Sequence, residues 1–401
     1  MTAFTIADCT VGGDAPCYII AEVSCNHEGD FDEAKRIIKA AADAGADAAK
    51  IQTYSAETMT RDFDTKPKGT MWEDIDLYSL YQKAWTPWEW HQGLADYANS
   101  LGIHLFSTPF DETSVDHLLD MQVPVMKIAS FEAVDIKLIE KVGKTGLPVI
   151  ISNGMTDFLE MQESIDTLRR VGCEHIAVTH CNSGYPASFD EVNLRTMQAI
   201  KEVFGVTVGL SDHTIFADDQ TKTRPMAHVT PLEAVKFGAK IIEVHLLMDR
   251  DHARQLNANN AGGFDWPFSR EPAELKKMVD MIRAYEAIGH IAYDSTDEAE
   301  AALRTHGKVC FEPTAKEIHS RAVRPSLWAV KPIRAGEPLR FAAEAKDTGN
   351  FDSIRPGGGL HIRFTDLIDG RPATRDIQAG EPLQWDMLNL ETKDQAELPH
   401  D

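Results

Sequence analysis

Two lysines stand inside otherwise apolar runs, Lys50 in Ala48-Ala49-Lys50-Ile51 and Lys127 in Val125-Met126-Lys127-Ile128. An ammonium so placed needs a counter-charge, because burying it unpaired is costly. A fixed carboxylate can supply that charge as a structural salt bridge, and so can a bound anion. The hydroxyls of Thr108, Ser130, Ser152, Ser183 and Ser211 favour the anion. With the two lysines they would make a cradle for phosphate and carboxylate, which accept many hydrogen bonds. A lysine in this setting could instead form a Schiff base with a carbonyl substrate. His213 and His245 are the second constellation. A lone histidine is more often a satisfied structural residue, but a pair beside acids favours a divalent ion. Two protein ligands would leave positions for water and substrate, which suits polarisation of a carbonyl. Glu22 and Glu132 are candidates for proton transfer or for contacts to substrate hydroxyls. They serve equally well as the salt-bridge partners of Lys50 and Lys127. His27, His91, His180 and Cys181 read as packing residues.

These residues recur where short apolar runs end. The candidate strands are Cys17–Val23, Ala48–Gln52, His104–Ser107, Val125–Ala129, Val149–Ser152, Ile176–Cys181, Val206–Leu210 and Lys240–His245. Helical patterns lie between them, among them Asp32–Ala44, Pro87–Ser100, Ile136–Lys144 and Phe158–Val171. Eight strand-then-helix units predict an α/β fold, a (β/α)8 TIM barrel of roughly 250 residues. In such a barrel the strand C-termini form the catalytic face. Adjacent strands lie about 4.8 Å apart, so His213 and His245 on strands seven and eight could share one ion. A doubly wound open sheet is the alternative, weakened by the lack of a G-x-G-x-x-G turn after the first strand. Two long loops, Ser55–Thr86 and Arg250–Phe268, follow strand ends and read as lids or binding loops.

The barrel domain is placed at 1–290, a charged, weakly patterned linker at 291–320, and a small β-rich domain at 321–401. In that last domain Ile333-Arg334-Ala335-Gly336-Glu337-Pro338-Leu339 is nearly repeated by Ile377-Gln378-Ala379-Gly380-Glu381-Pro382-Leu383. The net charge of −23 over 401 residues argues against nucleic acid, although a local pocket can still carry positive charge. The six cysteines show no C-x-x-C pair, which points to a reducing cytosol. No secretory signal and no apolar run of membrane-spanning length is seen, so a cytoplasmic protein without a membrane partner is expected. A non-catalytic binding module built on the C-terminal domain would need no such set of polar strand ends.

Several phrases resemble the sialic acid synthase family, in family order along the barrel. They are Ala21-Glu22-Val23-Ser24-Cys25-Asn26-His27-Glu28-Gly29, Lys50-Ile51-Gln52-Thr53, Ser107-Thr108-Pro109-Phe110, Lys127-Ile128-Ala129-Ser130-Phe131-Glu132, Ser152-Asn153-Gly154-Met155 and Gly209-Leu210-Ser211-Asp212-His213. The C-terminal segment looks like the antifreeze-like (SAF) domain of that family. The resemblance implies condensation of phosphoenolpyruvate with an N-acetylated amino-sugar aldehyde, a divalent cofactor (Mn²⁺, Mg²⁺ or Co²⁺), and a domain-swapped homodimer. It implies that His213 and His245 hold the metal. Lys50, Thr108, Lys127, Ser130, Ser152, Ser183 and Ser211 would hold phosphoenolpyruvate. Glu22, Gln52, Glu132, Tyr185 and Asp265 would face the sugar, with Glu22 and Glu132 as the catalytic acids. Arg355 would reach from the SAF domain into the partner subunit's site. Leu77-Tyr78-Ser79-Leu80-Tyr81, Trp85-Thr86-Pro87-Trp88-Glu89-Trp90-His91 and Arg355-Pro356-Gly357-Gly358-Gly359-Leu360-His361 look more like pseudaminic acid synthases than N-acetylneuraminate or legionaminic acid synthases. Departures from the family pattern are Val244 before His245, an insertion at Asp218–Thr230, and Trp266 where many relatives carry histidine.

Overall fold

The computed structural model describes residues 3–70, 72–214, 226–342 and 349–389. A short antiparallel hairpin comes first, β1 (Phe4–Ile6) and β2 (Cys9–Val11), and buries Phe4, Ile6 and Val11 in the main core. Eight parallel strands then follow: β3 (Tyr18–Glu22), β4 (Ala48–Thr53), β5 (His104–Pro109), β6 (Met126–Ile128), β7 (Val149–Ser152), β8 (Ile176–Cys181), β9 (Thr207–Asp212) and β10 (Ile241–His245). They close into a barrel, because β10 pairs in parallel with β3 from Ile241↔Tyr18 to His245↔Glu22. That closure excludes the open doubly wound sheet.

The strands are buried from end to end, as expected when helices cover the outside and side chains fill the interior. The covering helices start at side-chain caps. Asp30 accepts hydrogen bonds from the backbone of Asp32 and Glu33, and Asp157 forms a capping box with Glu160. Helix Phe31–Ala44 turns Ala34, Ile37, Ile38 and Ala41 inward and stops at Gly45, whose φ of 88° suits glycine.

The loop after β4 is folded. It carries helices Ala56–Met59 and Leu77–Ala84, and its Ile75, Leu77, Leu80 and Tyr81 make an apolar cluster with Tyr54, Phe131 and Phe264 over the barrel mouth. The stretch after β10 likewise contains a helix, Arg250–Ala258. Residues 291–320, expected as a linker, contain helices Thr296–His306 and Ala315–Ser320. The second is fastened to the strand ends: Glu317 Oε1 accepts from the backbone N–H of Met155 (3.0 Å) and Ser183 (2.9 Å), and Ser320 Oγ donates to Ser183 O (2.7 Å). Weak apolar patterning hid this helix because its anchors are polar.

The C-terminal domain has its own core, around Leu327, Ile333, Leu339, Phe351, Ile377 and Leu383. β11 (Ser326–Ala329) pairs antiparallel with β12 (Phe351–Ile354). The near-repeated phrases form two equivalent turns that face each other. Ile333 and Ile377 exchange backbone hydrogen bonds of 2.9 and 2.8 Å, and Glu337 and Glu381 each accept from the backbone N–H three residues back. Among the described residues no helix is long and apolar enough to cross a membrane.

Replacing Glu317 by Ala would leave two buried N–H groups without an acceptor, a cost of about 2–4 kcal/mol. Urea unfolding should register that loss, and limited proteolysis should cut within 306–320 faster than in wild type. An unchanged cleavage rate would show that the helix does not depend on this carboxylate.

Candidate active site

The strand C-termini and the overlying loops enclose one cavity. It is lined by Glu22, Lys50, Gln52, Thr108, Lys127, Ser130, Ser152, Tyr185, Ser211, His213, Glu243, His245, Asp265 and Arg355, together with an apolar wall. Lys50 and Lys127 are almost fully buried. Lys50 Nζ lies 2.5 Å from Glu22 Oε2 and donates to Thr108 Oγ1 at 3.0 Å. Lys127 Nζ donates to Ser152 Oγ (2.7 Å) and to Ile128 O (3.2 Å). Glu243 sits between them, 3.9 Å from each ammonium, and accepts from Ser211 Oγ at 3.0 Å. Burial alone would raise the Glu243 carboxyl, but Lys127 and Lys50 outweigh it and hold it at about 2. Burial lowers Lys127 below the usual lysine value, against the pull of Glu243. For Lys50 the opposing burial is overcome by Glu22 and Glu243, and the value is raised.

The structure supplies the fixed carboxylates that were the alternative to a bound anion, and the donors left over decide whether an anion can still be held. Each ammonium has three N–H donors, and two are used on each in the contacts described above. One donor per lysine remains for a ligand. Ser130, Ser152 and Ser211 stand beside them, and Ser183 lies behind. A Cβ on Gly154 would fall 2.0 Å from Ser183 Oγ and 2.7 Å from Ser130 Oγ, so glycine is what leaves room for these two hydroxyls. Ser183 does not line the cavity; its backbone is taken by Glu317 and Ser320.

His213 and His245 face each other across the strand ends, ring centroids 5.3 Å apart. His213 Nδ1 is near Asn182 O (3.3 Å) and Cys181 Sγ (3.4 Å). His245 Nδ1 has no hydrogen-bond partner among the described residues and lies 3.4 Å from Asp265 Oδ2, which accepts from Ser24 Oγ at 2.6 Å. Burial pushes His213 towards the neutral, ligating form. Two imidazoles with carboxylates close by are a donor set that fits a divalent metal ion. Among the described residues, groups of three or more potential ligands within mutual reach comprise only Asp8, Cys9 and His104, at the opposite end of the barrel. The histidine pair would thus be completed by non-protein ligands.

Arg355 enters this cavity from the C-terminal domain of the same chain. Its guanidinium donates to Glu132 and to Tyr81 Oη (3.2 Å) and lies 4.8 Å from the centre of the Phe131 ring. Its backbone N–H donates to Met59 O at 3.0 Å. Glu132 is buried behind Arg355 and does not line the cavity; burial raises its carboxyl, opposed by that guanidinium.

A family model described as the NeuB family matches residues 37–292, and one described as the SAF domain matches residues 324–389. The chain belongs to the NeuB family. It is 34% identical to a pseudaminic acid synthase of Helicobacter pylori over 375 residues, covering 92% of this chain and 97% of the relative. It is 32% identical to an N,N'-diacetyllegionaminic acid synthase of Legionella pneumophila, covering 94% and 96%. The crystal structure of a spore coat polysaccharide biosynthesis protein from Bacillus subtilis matches with a TM-score of 0.77 at 32% identity, covering 97% of this chain and 100% of that one.

Arg355, expected in a partner subunit's site, completes the pocket of its own barrel within this single chain. The polar anchors of helix Ala315–Ser320 hold the segment leading to it over the barrel mouth. Of the departures from the NeuB pattern, Val244 is buried in the barrel wall, and Trp266 lies outside the cavity lining with Arg254 6.0 Å from its ring. Most of the Asp218–Thr230 insertion, residues 218–225, lies outside the described residues. Sequence reading missed Glu243, Ser24 and the contact of Cys181 with His213. Glu243 carried a signal: it is a charge in the apolar run Ile241–His245, two residues before His245 and so on the same face.

Glu243→Gln withdraws the carboxylate shared by both lysines and should cost about 3–5 kcal/mol. Inorganic phosphate should raise the Tm of this variant more than that of wild type, since an anion can replace the lost charge. Because Glu243 is held at about 2 against an ordinary 4.5, its contribution is present above that ordinary value and fades as pH falls towards about 2. The Gln variant should lack this acid limb. Equal phosphate shifts in the two proteins would count against an anion-binding lysine pair.

Proposed function

We propose that this NeuB-family chain condenses phosphoenolpyruvate with the open-chain aldehyde of a six-carbon, N-acetylated amino sugar. The products are a nine-carbon 2-keto-3-deoxy sugar acid and phosphate, as a pseudaminic acid synthase would make them. The observation that carries this reading is Lys50 and Lys127, each with a donor to spare, beside four hydroxyls (Thr108, Ser130, Ser152 and Ser211) in a cavity that also holds His213 and His245.

In this reading Lys50, Lys127, Thr108, Ser130, Ser152 and Ser211 bind the phosphate and carboxylate of phosphoenolpyruvate and fix its enol carbon C3 towards the aldehyde. C3 attacks the aldehyde carbon, and the aldehyde oxygen takes up a proton. Positive charge at C2 is met by water, which loses a proton as it adds. The resulting tetrahedral carbon expels phosphate by C–O cleavage, and its hydroxyl gives up its proton to the departing phosphate as it becomes the ketone. Glu22 lines the cavity, accepts from Gln52 at 3.1 Å and is the group placed to move these protons. Glu132 acts through Arg355, holding the guanidinium against the sugar end. His213 and His245 would hold a divalent ion, which when bound supplies Lewis-acid polarisation of a carbonyl.

Charge supports the same assignment. Three cationic side chains, Lys50, Lys127 and Arg355, share the site with four carboxylates, Glu22, Glu132, Glu243 and Asp265. That balance is net negative, and a divalent cation would offset it for a dianionic substrate. The outer half of the cavity is apolar, with Met59, Trp72, Leu80, Phe110, Phe264 and Val323 in its wall. Such a wall suits acyl methyls and deoxygenated carbons better than a row of free hydroxyls. It supports a diacetamido, partly deoxygenated acceptor.

Residues 1–290 are read as the synthase domain and 321–401 as the SAF domain. Six unpaired cysteines support a reducing, cytoplasmic setting. Two chains exchanging SAF domains would make the Arg355–Glu132 contact between subunits in place of within one.

Phosphate release from phosphoenolpyruvate should appear with 2,4-diacetamido hexoses and be weaker with N-acetylmannosamine. It should stop in excess chelator and in His213→Ala or His245→Ala. Preference for N-acetylmannosamine would reassign the acceptor, and full turnover in chelator would remove the metal. Inactivation by borohydride with pyruvate would point to a Schiff-base lyase in place of this reaction. Mixing Arg355→Ala with Lys127→Ala protein should restore activity if SAF domains are exchanged, and should restore none if each chain closes its own site.

A further inference from the structure

Arg270 lies outside the cavity, fully buried, and touches the neighbourhood of both histidines. Its backbone N–H donates to His245 O at 2.8 Å, and its own carbonyl accepts from Leu247 N–H at 2.9 Å, which pins it to the end of β10. Its guanidinium reaches the adjacent strand end, where it pairs with Asp212 and donates to Ala227 O at 3.1 Å. Asp212 is the residue before His213, and its other oxygen accepts from the N–H (3.0 Å) and hydroxyl (2.9 Å) of Thr214, the residue after. Two residues before Arg270, Phe268 stands edge-on to both imidazoles, at 5.2 and 4.9 Å.

We infer that Arg270 is a positioning residue that sets the separation and aim of His213 and His245, acting through Asp212 on one side and the His245 carbonyl on the other. The inference rests on the reading that these histidines hold a divalent ion. Register alone leaves their spacing loose, because the β9–β10 pairing runs only to Val244↔Asp212 and stops before either histidine. The Arg270–Asp212 pair closes that gap with a side chain that presents donors in a fixed fork. A buried ion pair is weak evidence for stability, so its placement beside a ligand pair needs another reason. Partners behind metal ligands typically change metal affinity by about 10–100-fold when removed.

The test uses Arg270→Gln, Asp212→Asn, the double variant and Arg270→Lys in the full chain, with Mn²⁺ affinity read by calorimetry and by electron paramagnetic resonance. Each single variant leaves a buried charge unpaired, so its Tm should fall. The double variant removes both charges, and its Tm should recover towards wild type while its Mn²⁺ affinity stays at least about tenfold weaker. Arg270→Lys should recover part of that affinity. Phosphoenolpyruvate binding in the presence of chelator should stay as in wild type, since the lysine end of the cavity is untouched. A double variant that binds Mn²⁺ as tightly as wild type would overturn the inference. Wild-type protein that binds no Mn²⁺ would instead overturn the reading of the histidine pair on which it rests.

Discussion

The charge inside the barrel constrains the rest of the molecule. Lys50 and Lys127 are buried on neighbouring parts of a closed sheet, and Glu22 and Glu243 are buried with them. None of these groups could stay ionised there alone. Together they hold one another, and the cost of keeping them inside is offset by a core of Ile, Val, Leu and Ala packed around the strands. Glu243 is the pivot. It is within 3.9 Å of both ammoniums yet forms its hydrogen bond with Ser211, so it balances their charge without saturating their donors.

The closed barrel makes this possible because its strands are parallel and their polar ends all emerge on one face. The loop after β4, helix Ala315–Ser320 and the C-terminal domain then cover that face. Covering the face removes water from the lysines and histidines. That lowers Lys127 and His213 and strengthens every remaining electrostatic contact. Arg355 is part of the same cover. It brings a positive charge to the cavity, and Glu132 keeps it there.

The fold was legible where side-chain periodicity carried it. All eight barrel strands occur within about two residues of their expected bounds, because continuous apolar runs between amphipathic helices leave few other solutions. Legibility failed where polar contacts do the work. Helix Ala315–Ser320 is held by Glu317 and Ser320, and Arg355 is placed by a chain path no local pattern shows. The site divides the same way. Lys50, Lys127, His213 and His245 stood out as polar residues at strand ends, whereas Glu243 was overlooked inside an apolar run although its offset of two from His245 put both on one face. Arg270 was invisible, since its partner Asp212 is distant in sequence and its role exists only once two strands are side by side.

The cavity is also asymmetric in a way that bears on specificity. At its inner end charges and hydroxyls are fixed by hydrogen bonds to one another, on strands of the barrel. At its outer end Met59, Trp72, Leu80 and Val323 come from loops and from the segment leading to the C-terminal domain. Rigid strand ends can hold the part of a reaction that is common to many acceptors. Loops can change the wall that meets the variable part of the acceptor without disturbing the lysines behind it. A family whose members include pseudaminic and legionaminic acid synthases could therefore vary the apolar lining and leave the charge balance alone. Two of the departures in this chain, Val244 and Trp266, conform to that division. Val244 changes only the outer barrel wall, and Trp266 stays outside the lining, so neither disturbs the charged end.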